Sequence, residues 1–249
     1  MVNRRSILRP LFTSRPASWV VYIGVIWGMF FVALGAITEP TPENWTLLAS
    51  IAASGLYTVG LYLTRPFWLP RLARRPLRNA SLLGIFNAAV VETIFLAFEK
   101  LMGAEGVAAH PNLLIDLAMT LPWYAMLVIA FVKLQQRRRF SPAVVLLLGA
   151  VYELGADGVA GPLVGMLFGD FQLLTLEYWL FLGLFGFWAF IPVYSSMVLA
   201  PAWLIETAPR VPQPALPAWR DALKPLLWLI PFLVYLLILI LLLGAFNLA

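Results

Sequence analysis

Basic residues recur in four segments of this chain, and long apolar runs separate these segments. Sixteen of the seventeen Lys and Arg residues lie in the N-terminal tail or in the second, fourth and sixth connections between the runs, and only Lys100 lies elsewhere. The other connections carry acids instead, namely Glu39, Glu43, Glu105, Asp170 and Glu177. Because Lys and Arg of short connections stay in the cytoplasm during insertion, the pattern predicts a cytoplasmic N-terminus and an external C-terminus.

Seven apolar runs are long enough to cross a bilayer, which takes about 20 residues. The chain is 62% apolar and 12% charged, whereas about a quarter of a soluble domain is charged. Lipid cannot satisfy backbone groups, and no strand-like alternation indicates a barrel, so we predict an all-α, polytopic membrane helix bundle. The runs are Trp19–Ile37, Trp45–Leu63, Ala80–Leu101, Leu113–Val132, Pro142–Phe168, Leu174–Ile205 and Pro225–Phe246.

The runs and one Pro-rich stretch divide the chain into four parts. Residues 1–79 hold two helices with basic connections, residues 80–206 a four-helix module, residues 207–224 a cytoplasmic linker, and residues 225–249 the last helix. Prolines in the sixth run predict bends, with the last turns of that run along the inner interface. The fifth run should be kinked or unwound at its outer end, since it contains Gly155, Gly158, Gly161 and Pro162.

Four carboxylates lie inside the predicted spans, where an acid costs about 2.5–3.5 kcal/mol at mid-helix. Glu92, Asp116, Glu153 and Asp157 all fall between the mid-plane and the outer surface, on three consecutive helices. Helical spacing places Glu153 and Asp157 on one face, and Glu92 shares a face with Glu99 at the outer boundary. We therefore predict an outward-opening polar pocket between the third, fourth and fifth spans.

Carboxylates crowded into such a pocket would be partly protonated at neutral pH. This arrangement suits general acid–base catalysis or proton coupling, and it also suits binding of an amine. Glu92, Asp116 and Glu153 are the predicted catalytic residues. Simpler interpretations stay open, because Asp116 fits a boundary residue stabilised by the helix dipole and Asp157 fits a cap among glycines. Asn87, at mid-depth, is most simply an interhelical hydrogen-bonding group.

Cofactor and metal chemistry find little support in the sequence. The chain has no cysteine, which excludes disulfides, thiolate metal sites and cysteine nucleophiles. His110 is the single histidine, and no ligand spacing repeats, so we predict no metal site. No P-loop, Rossmann fingerprint, nucleophile elbow or zinc-protease motif is present, and we predict no cofactor.

Several short motifs lie within residues 80–205. They are Asp116-Leu-Ala-Met-Thr-Leu-Pro122, Ile129-Ala-Phe131-Val-Lys133 followed by Ser141-Pro142-Ala143, Phe98-Glu99-Lys100-Leu101-Met102-Gly103, Gly149-Ala-Val-Tyr152 and Trp188-Ala-Phe-Ile-Pro192. In these motifs the stretch resembles the EXPERA domain family, the four-helix module of emopamil-binding protein (a sterol isomerase) and the sigma-2 receptor. The resemblance implies a module that begins and ends on the cytoplasmic side, with an apolar ligand pocket in its outer half.

The resemblance implies roles for particular side chains. Asp116 stands where the family has a ligand-binding Glu, and Glu99 where the sigma-2 receptor has an acid that helps to hold a cationic amine. Trp188 stands where the isomerase has an aromatic residue that stabilises positive charge. Asn87 stands in place of the isomerase's His, and Glu92 follows five residues later instead of four. The full predicted ligand-binding set is Glu99, Asp116, Trp123, Tyr124, Tyr152, Asp157, Trp188 and Asn87.

These observations predict a membrane-embedded protein that binds a lipid, sterol or terpenoid, either as an isomerase-like enzyme or as a pure binder. One alternative is a proton-coupled transporter, although only the fifth run looks broken and transporters often show paired broken helices. Another is a non-catalytic scaffold subunit. The predicted partners are membrane lipids or an apolar small molecule, without nucleic acid, and a homodimer stays open. The host membrane would be the cell membrane of a prokaryote or the endoplasmic reticulum of a eukaryote.

Overall fold

The computed structural model describes residues 16–166, 169, 175–209, 211 and 218–245. Within these ranges the chain is helical and contains no strand, so the predicted all-α bundle is confirmed. Seven helical segments are long and apolar enough to cross a membrane, and we call them the first to seventh spans. They are Pro16–Thr38, Pro42–Leu72, Pro76–Met102, Leu113–Arg138, Pro142–Met166, Leu176–Ile205 and Trp219–Gly244.

The last three spans are built from shorter pieces. The fifth consists of the helices Pro142–Gly155 and Gly161–Met166 with a π-helical turn, Ala156–Ala160, between them. The sixth consists of Leu176–Phe181, a π-helical turn at Leu182–Gly186 and the helix Phe187–Ile205. The seventh consists of Ala218–Ala222, a 3₁₀ turn at Lys224–Trp228 and the helix Leu229–Ala245. The irregularity predicted for the fifth run is thus a π turn.

Local sequence signals set where several of these helices begin and end. The Thr41 side chain accepts a hydrogen bond from the backbone N–H of Asn44 and caps the second span. The Asn112 side chain caps the fourth span in the same way. Gly103, at φ 69°, ends the third span in the left-handed conformation that favours glycine. The connection between the third and fourth spans, residues 103–112, is therefore defined at both ends.

Basic residues gather at one end of the bundle, which we call the basic end. Arg138 forms an ion pair with Asp221 at 2.5 Å, and both side chains are buried. Arg139 donates to the backbone carbonyl groups of Ile205 and, at 2.7 Å, of Ala208. Arg75 and Arg78 of the second connection line a surface cleft together with Gln136 and Ala208. The second, fourth and sixth connections thus meet at the basic end, as the charge pattern predicted. Of the predicted linker, residues 210 and 212–217 lie outside the described residues.

The sidedness of the bundle stays a prediction, and single cysteines can test it because the chain has none. Glu105 and Arg74 are both exposed, at opposite ends of the bundle. We expect a membrane-impermeant maleimide to label Glu105→Cys in intact cells and to label Arg74→Cys only after permeabilisation. The opposite labelling pattern would invert the predicted topology.

The helix Phe187–Ile205 forms the centre of the bundle. It packs against each of the first five spans, and every residue from Ile191 to Ile205 is buried. The prediction that the last turns of the sixth run lie along the inner interface is therefore wrong. A helix that is apolar on all sides can be covered by neighbouring helices as well as by lipid, and here the other spans cover it.

The first span reaches this central helix through glycine. A Cβ atom added to Gly28 would lie 2.8 Å from the backbone nitrogen of Ala189, and one added to Gly24 would overlap the ring of Trp188. Small residues let helix backbones approach closely where no hydrophobic effect drives association. Gly24 and Gly28 therefore determine how closely the first span packs on the sixth.

Candidate intramembrane carboxylate site

A cavity of about 240 Å³ lies among the third to sixth spans, beneath residues 103–112. The predicted pocket between the third, fourth and fifth spans therefore exists, with the sixth span and this connection as additional walls. Val91 and Phe95 contribute apolar surface. The polar side chains that line the cavity are Glu92, Thr120, Tyr124, Asp157 and Tyr194.

All four predicted intramembrane acids lie at or next to this cavity. Glu92 is close enough to Asp116 and Asp157 to interact electrostatically with both, and Glu153 interacts in the same way with Asp157 and Glu92. Glu153 Oε1 and Asp116 Oδ2 are buried, and neither has a hydrogen-bond partner in the described ranges. None of the described residues that line the cavity is Lys, Arg or His. Within the described lining, Glu92 and Asp157 therefore have no cation beside them.

Two tyrosines connect the cluster across the cavity. The hydroxyl oxygens of Tyr124 and Tyr194 lie 3.1 Å apart, and the Tyr194 hydroxyl donates to Asp157 Oδ2 at 3.3 Å. When Tyr194 donates to Asp157, Tyr124 must be the donor between the two hydroxyls, since each hydroxyl carries one proton. Glu92 and Tyr124 also interact. Hydrogen bonds thus connect Tyr124, Tyr194 and Asp157, and Glu92 lines the same cavity.

Sequence reasoning missed Tyr194. Tyrosines of membrane helices are common at the two interfaces, where the hydroxyl meets water. Tyr194 instead lies within the buried helix of the sixth span, where a phenol needs a partner inside the protein. The sequence did contain a signal for Tyr194, because a tyrosine that lies away from the ends of an apolar run needs a polar partner inside the protein.

The π turns of the fifth and sixth spans lie side by side next to the acids. Asp157 belongs to the turn Ala156–Ala160. The hydroxyl of Tyr178 donates to the carbonyl oxygen of Gly158 at 2.8 Å, and a Cβ atom on Gly158 would lie 2.8 Å from the side chain of Leu182 in the second turn. Such π turns within α-helices often occur at functional sites.

Glu99 and Asp116 hold the connection above the cavity and do not line it. Oε2 of Glu99 accepts hydrogen bonds from the backbone N–H groups of Val107 and Ala108, at 2.7 and 2.5 Å. Oδ1 of Asp116 accepts from the backbone N–H of His110 at 3.2 Å. Because Val107 and Ala108 line the cavity, these two carboxylates position part of its wall.

Of the four predicted aromatic ligand residues, only Tyr124 lines the cavity. Trp123 packs against Phe232 of the seventh span, with ring centroids 5.6 Å apart. The hydroxyl of Tyr152 donates to the carbonyl oxygen of Ala222 at 2.8 Å. Trp188 packs on the first span at Gly24. The structure therefore does not gather these three rings around the acids.

Asn87 is buried between three spans and lies apart from the cavity lining. Its Oδ1 accepts a hydrogen bond from the hydroxyl of Tyr57, and its Nδ2 donates to the carbonyl oxygen of Ser196, both at 2.8 Å. These bonds link the second, third and sixth spans. This geometry matches the simplest interpretation of Asn87, an interhelical hydrogen-bonding group.

Among the described residues, no group of three or more His, Asp or Glu side chains is arranged to hold a metal ion. Comparison of the chain with protein-family models, with curated proteins and with solved structures found no match. What the site can bind therefore follows from its own residues.

Proposed function

We propose that this chain is a membrane-embedded binding protein for a small apolar molecule that carries one positive charge. The observation that supports this is the pair Glu92 and Asp157, which face a cavity with no basic residue among its described lining. Acids within a membrane need a proton or a cation as partner. An ammonium group between the two carboxylates would supply that partner, and Val91 and Phe95 would contact the apolar part of the ligand.

The size and lining of the cavity narrow the ligand class. Pockets for drug-sized ligands span about 300–1,000 Å³, and this one is about 240 Å³, which suits a short terpenoid or lipid-derived amine. The EXPERA resemblance also implies a cationic amine, but the acids that it assigns to the ligand, Glu99 and Asp116, hold the cavity wall and do not line the cavity. An isomerase-like reaction receives less support, because Trp123, Tyr152 and Trp188 lie away from the acids that would generate a carbocation.

Binding of matched ligands tests this proposal. Benzylammonium and benzyl alcohol share one apolar ring, and only the first carries a charge. We expect purified wild-type protein to bind benzylammonium at least about ten-fold more tightly than benzyl alcohol, because only benzylammonium forms a charge-assisted hydrogen bond with a carboxylate. Acidification should weaken the binding of benzylammonium and leave that of benzyl alcohol unchanged, since protons compete for the carboxylates. Equal affinities for the two ligands, measured by calorimetry in detergent, would contradict the proposal.

Proton-coupled transport of the same cation is a second candidate function. The observation that favours it is the presence of π turns in both the fifth and the sixth spans, beside Asp157 and Tyr194. Sequence reasoning recognised only the first of these. The same benzylammonium, tested for uptake into proteoliposomes, separates the two functions. Uptake driven by a pH gradient would indicate transport, and saturable binding without uptake would indicate a binding protein.

A further inference from the structure

Arg65, on the second span, is a buried cation that packs against two neighbouring aromatic rings, whose centroids lie 5.7 Å apart. It is 6% exposed, and its guanidinium carbon lies 5.0 Å from the ring centroid of Tyr62 and 5.4 Å from that of Trp203. The rings stabilise the charge through their faces. They do not satisfy the five N–H donors of the guanidinium, which lie in its plane.

Among the described residues, no carboxylate forms an ion pair with Arg65. The two ion pairs in the described part of the chain both involve Asp221. Outside the described ranges the sequence has one acidic side chain, Asp170. No nitrogen of Arg65 is both fully buried and unpaired, so its donors are open to the surroundings. Arg65 therefore presents free donors from a desolvated position.

The depth of Arg65 places these donors at headgroup level. At 1.5 Å per residue, Arg65 lies about 35 Å along the helix from Pro42, and the hydrocarbon core is about 30 Å thick. Arg71, Arg74 and Arg78 follow it at the basic end, where clustered Arg residues attract anionic lipids.

We propose that Arg65 binds the phosphate group of an anionic phospholipid at the basic end of the bundle. Guanidinium binds phosphate through two parallel N–H bonds, and Tyr62 and Trp203 hold the group in the orientation this requires. The site is separate from the carboxylate cavity. It links the second span to the inner end of the central helix, since Trp203 belongs to that helix.

Native mass spectrometry of the full chain tests this, with equimolar phosphatidylglycerol and phosphatidylcholine added in detergent. We expect wild type to retain phosphatidylglycerol preferentially and Arg65→Gln to lower that retention about ten-fold or more. The control is Lys100→Gln, an exposed cation at the opposite end of the bundle, which should retain phosphatidylglycerol like wild type. Equal retention by Arg65→Gln and wild type would overturn the proposal.

One further variant and one competition measurement complete the test. Arg65→Lys retains the charge and loses the two-pronged geometry, so it should bind phosphatidylglycerol more weakly than wild type even if Arg65→Gln fails to fold. Wild-type retention by Arg65→Lys would refute recognition by the guanidinium. Competition with inorganic phosphate distinguishes a site for the phosphate group alone from a site for the whole lipid. Displacement of the lipid by phosphate would support a site for the phosphate group alone, and no displacement would support recognition of the lipid.

Discussion

Replacing Glu92 by Gln should weaken the binding of benzylammonium about ten-fold or more, and adding Asp157→Asn should abolish measurable binding. Both carboxylates line the cavity, and a charge-assisted bond to an ammonium is worth about 1.5–3 kcal/mol. Gln and Asn keep the size of each side chain and remove its charge. Calorimetry of the purified variants measures the change, with benzyl alcohol as the neutral ligand, whose affinity should stay within about two-fold of wild type.

The control for this pair is Glu105→Gln. Glu105 lies in the same connection that covers the cavity, but its side chain is exposed and does not line it. The Glu105→Gln variant should bind benzylammonium as tightly as the wild-type protein does. If Glu105→Gln and Glu92→Gln weakened binding equally, general surface charge and not the cavity would attract the ligand.

Asp116→Asn distinguishes a ligand contact from a structural role. Asp116 holds the backbone of His110 and does not line the cavity, so its neutralisation should weaken the binding of charged and neutral ligands alike. Loss confined to benzylammonium would instead support the direct contact predicted from the sequence. Unchanged affinity for both ligands would remove Asp116 from the site.

Replacing Gly28 by Ala should destabilise the bundle strongly, near the upper end of the range of about 1–3 kcal/mol for overpacking. The added Cβ would lie 2.8 Å from two backbone atoms, the nitrogen of Ala189 and the carbonyl carbon of Trp188. Backbone atoms cannot rotate away as a flexible side chain can, so the first span must move outward. The unfolding midpoint of the purified protein in mixed micelles measures this loss.

Gly35→Ala is the matched control on the same helix. A Cβ atom at Gly35 meets nothing within 4 Å, and alanine favours helix over glycine by about 0.5–1 kcal/mol. This variant should therefore be as stable as wild type or more so. A Gly28→Ala variant with wild-type stability would show that the first span does not pack this closely on the sixth.

Charge and hydropathy were sufficient to predict the seven spans and to place the described basic residues of the second, fourth and sixth connections at one end. Helical spacing was sufficient to bring Glu92, Glu153 and Asp157 together, because acids within spans must turn away from lipid. Hydropathy could not identify the central helix, since Leu and Val are equally suited to lipid and to a protein interior. The central position of the sixth span, and with it Tyr194, therefore escaped prediction.

The orientation of single aromatic side chains also escaped prediction. Neighbouring residues on a helix point about 100° apart, so Tyr124 lines the cavity while Trp123 faces the seventh span. A π turn accommodates an extra residue and shifts this register further. The sequence shows that an aromatic residue is present, but it does not show which way its side chain points from the helix.

The central place of the sixth span has a consequence for biosynthesis. Spans enter the membrane in the order of translation, and the first five all pack on a helix that the ribosome makes after them. Until then Asn87, Thr58 and Asp157 lack their partners on the sixth span, which are Ser196, Ser195 and Tyr194 respectively. Assembly of this bundle is therefore a late event that depends on the sixth span, and the seventh span, 6% buried in its apolar window, then supplies the partners of Trp123 and Tyr152.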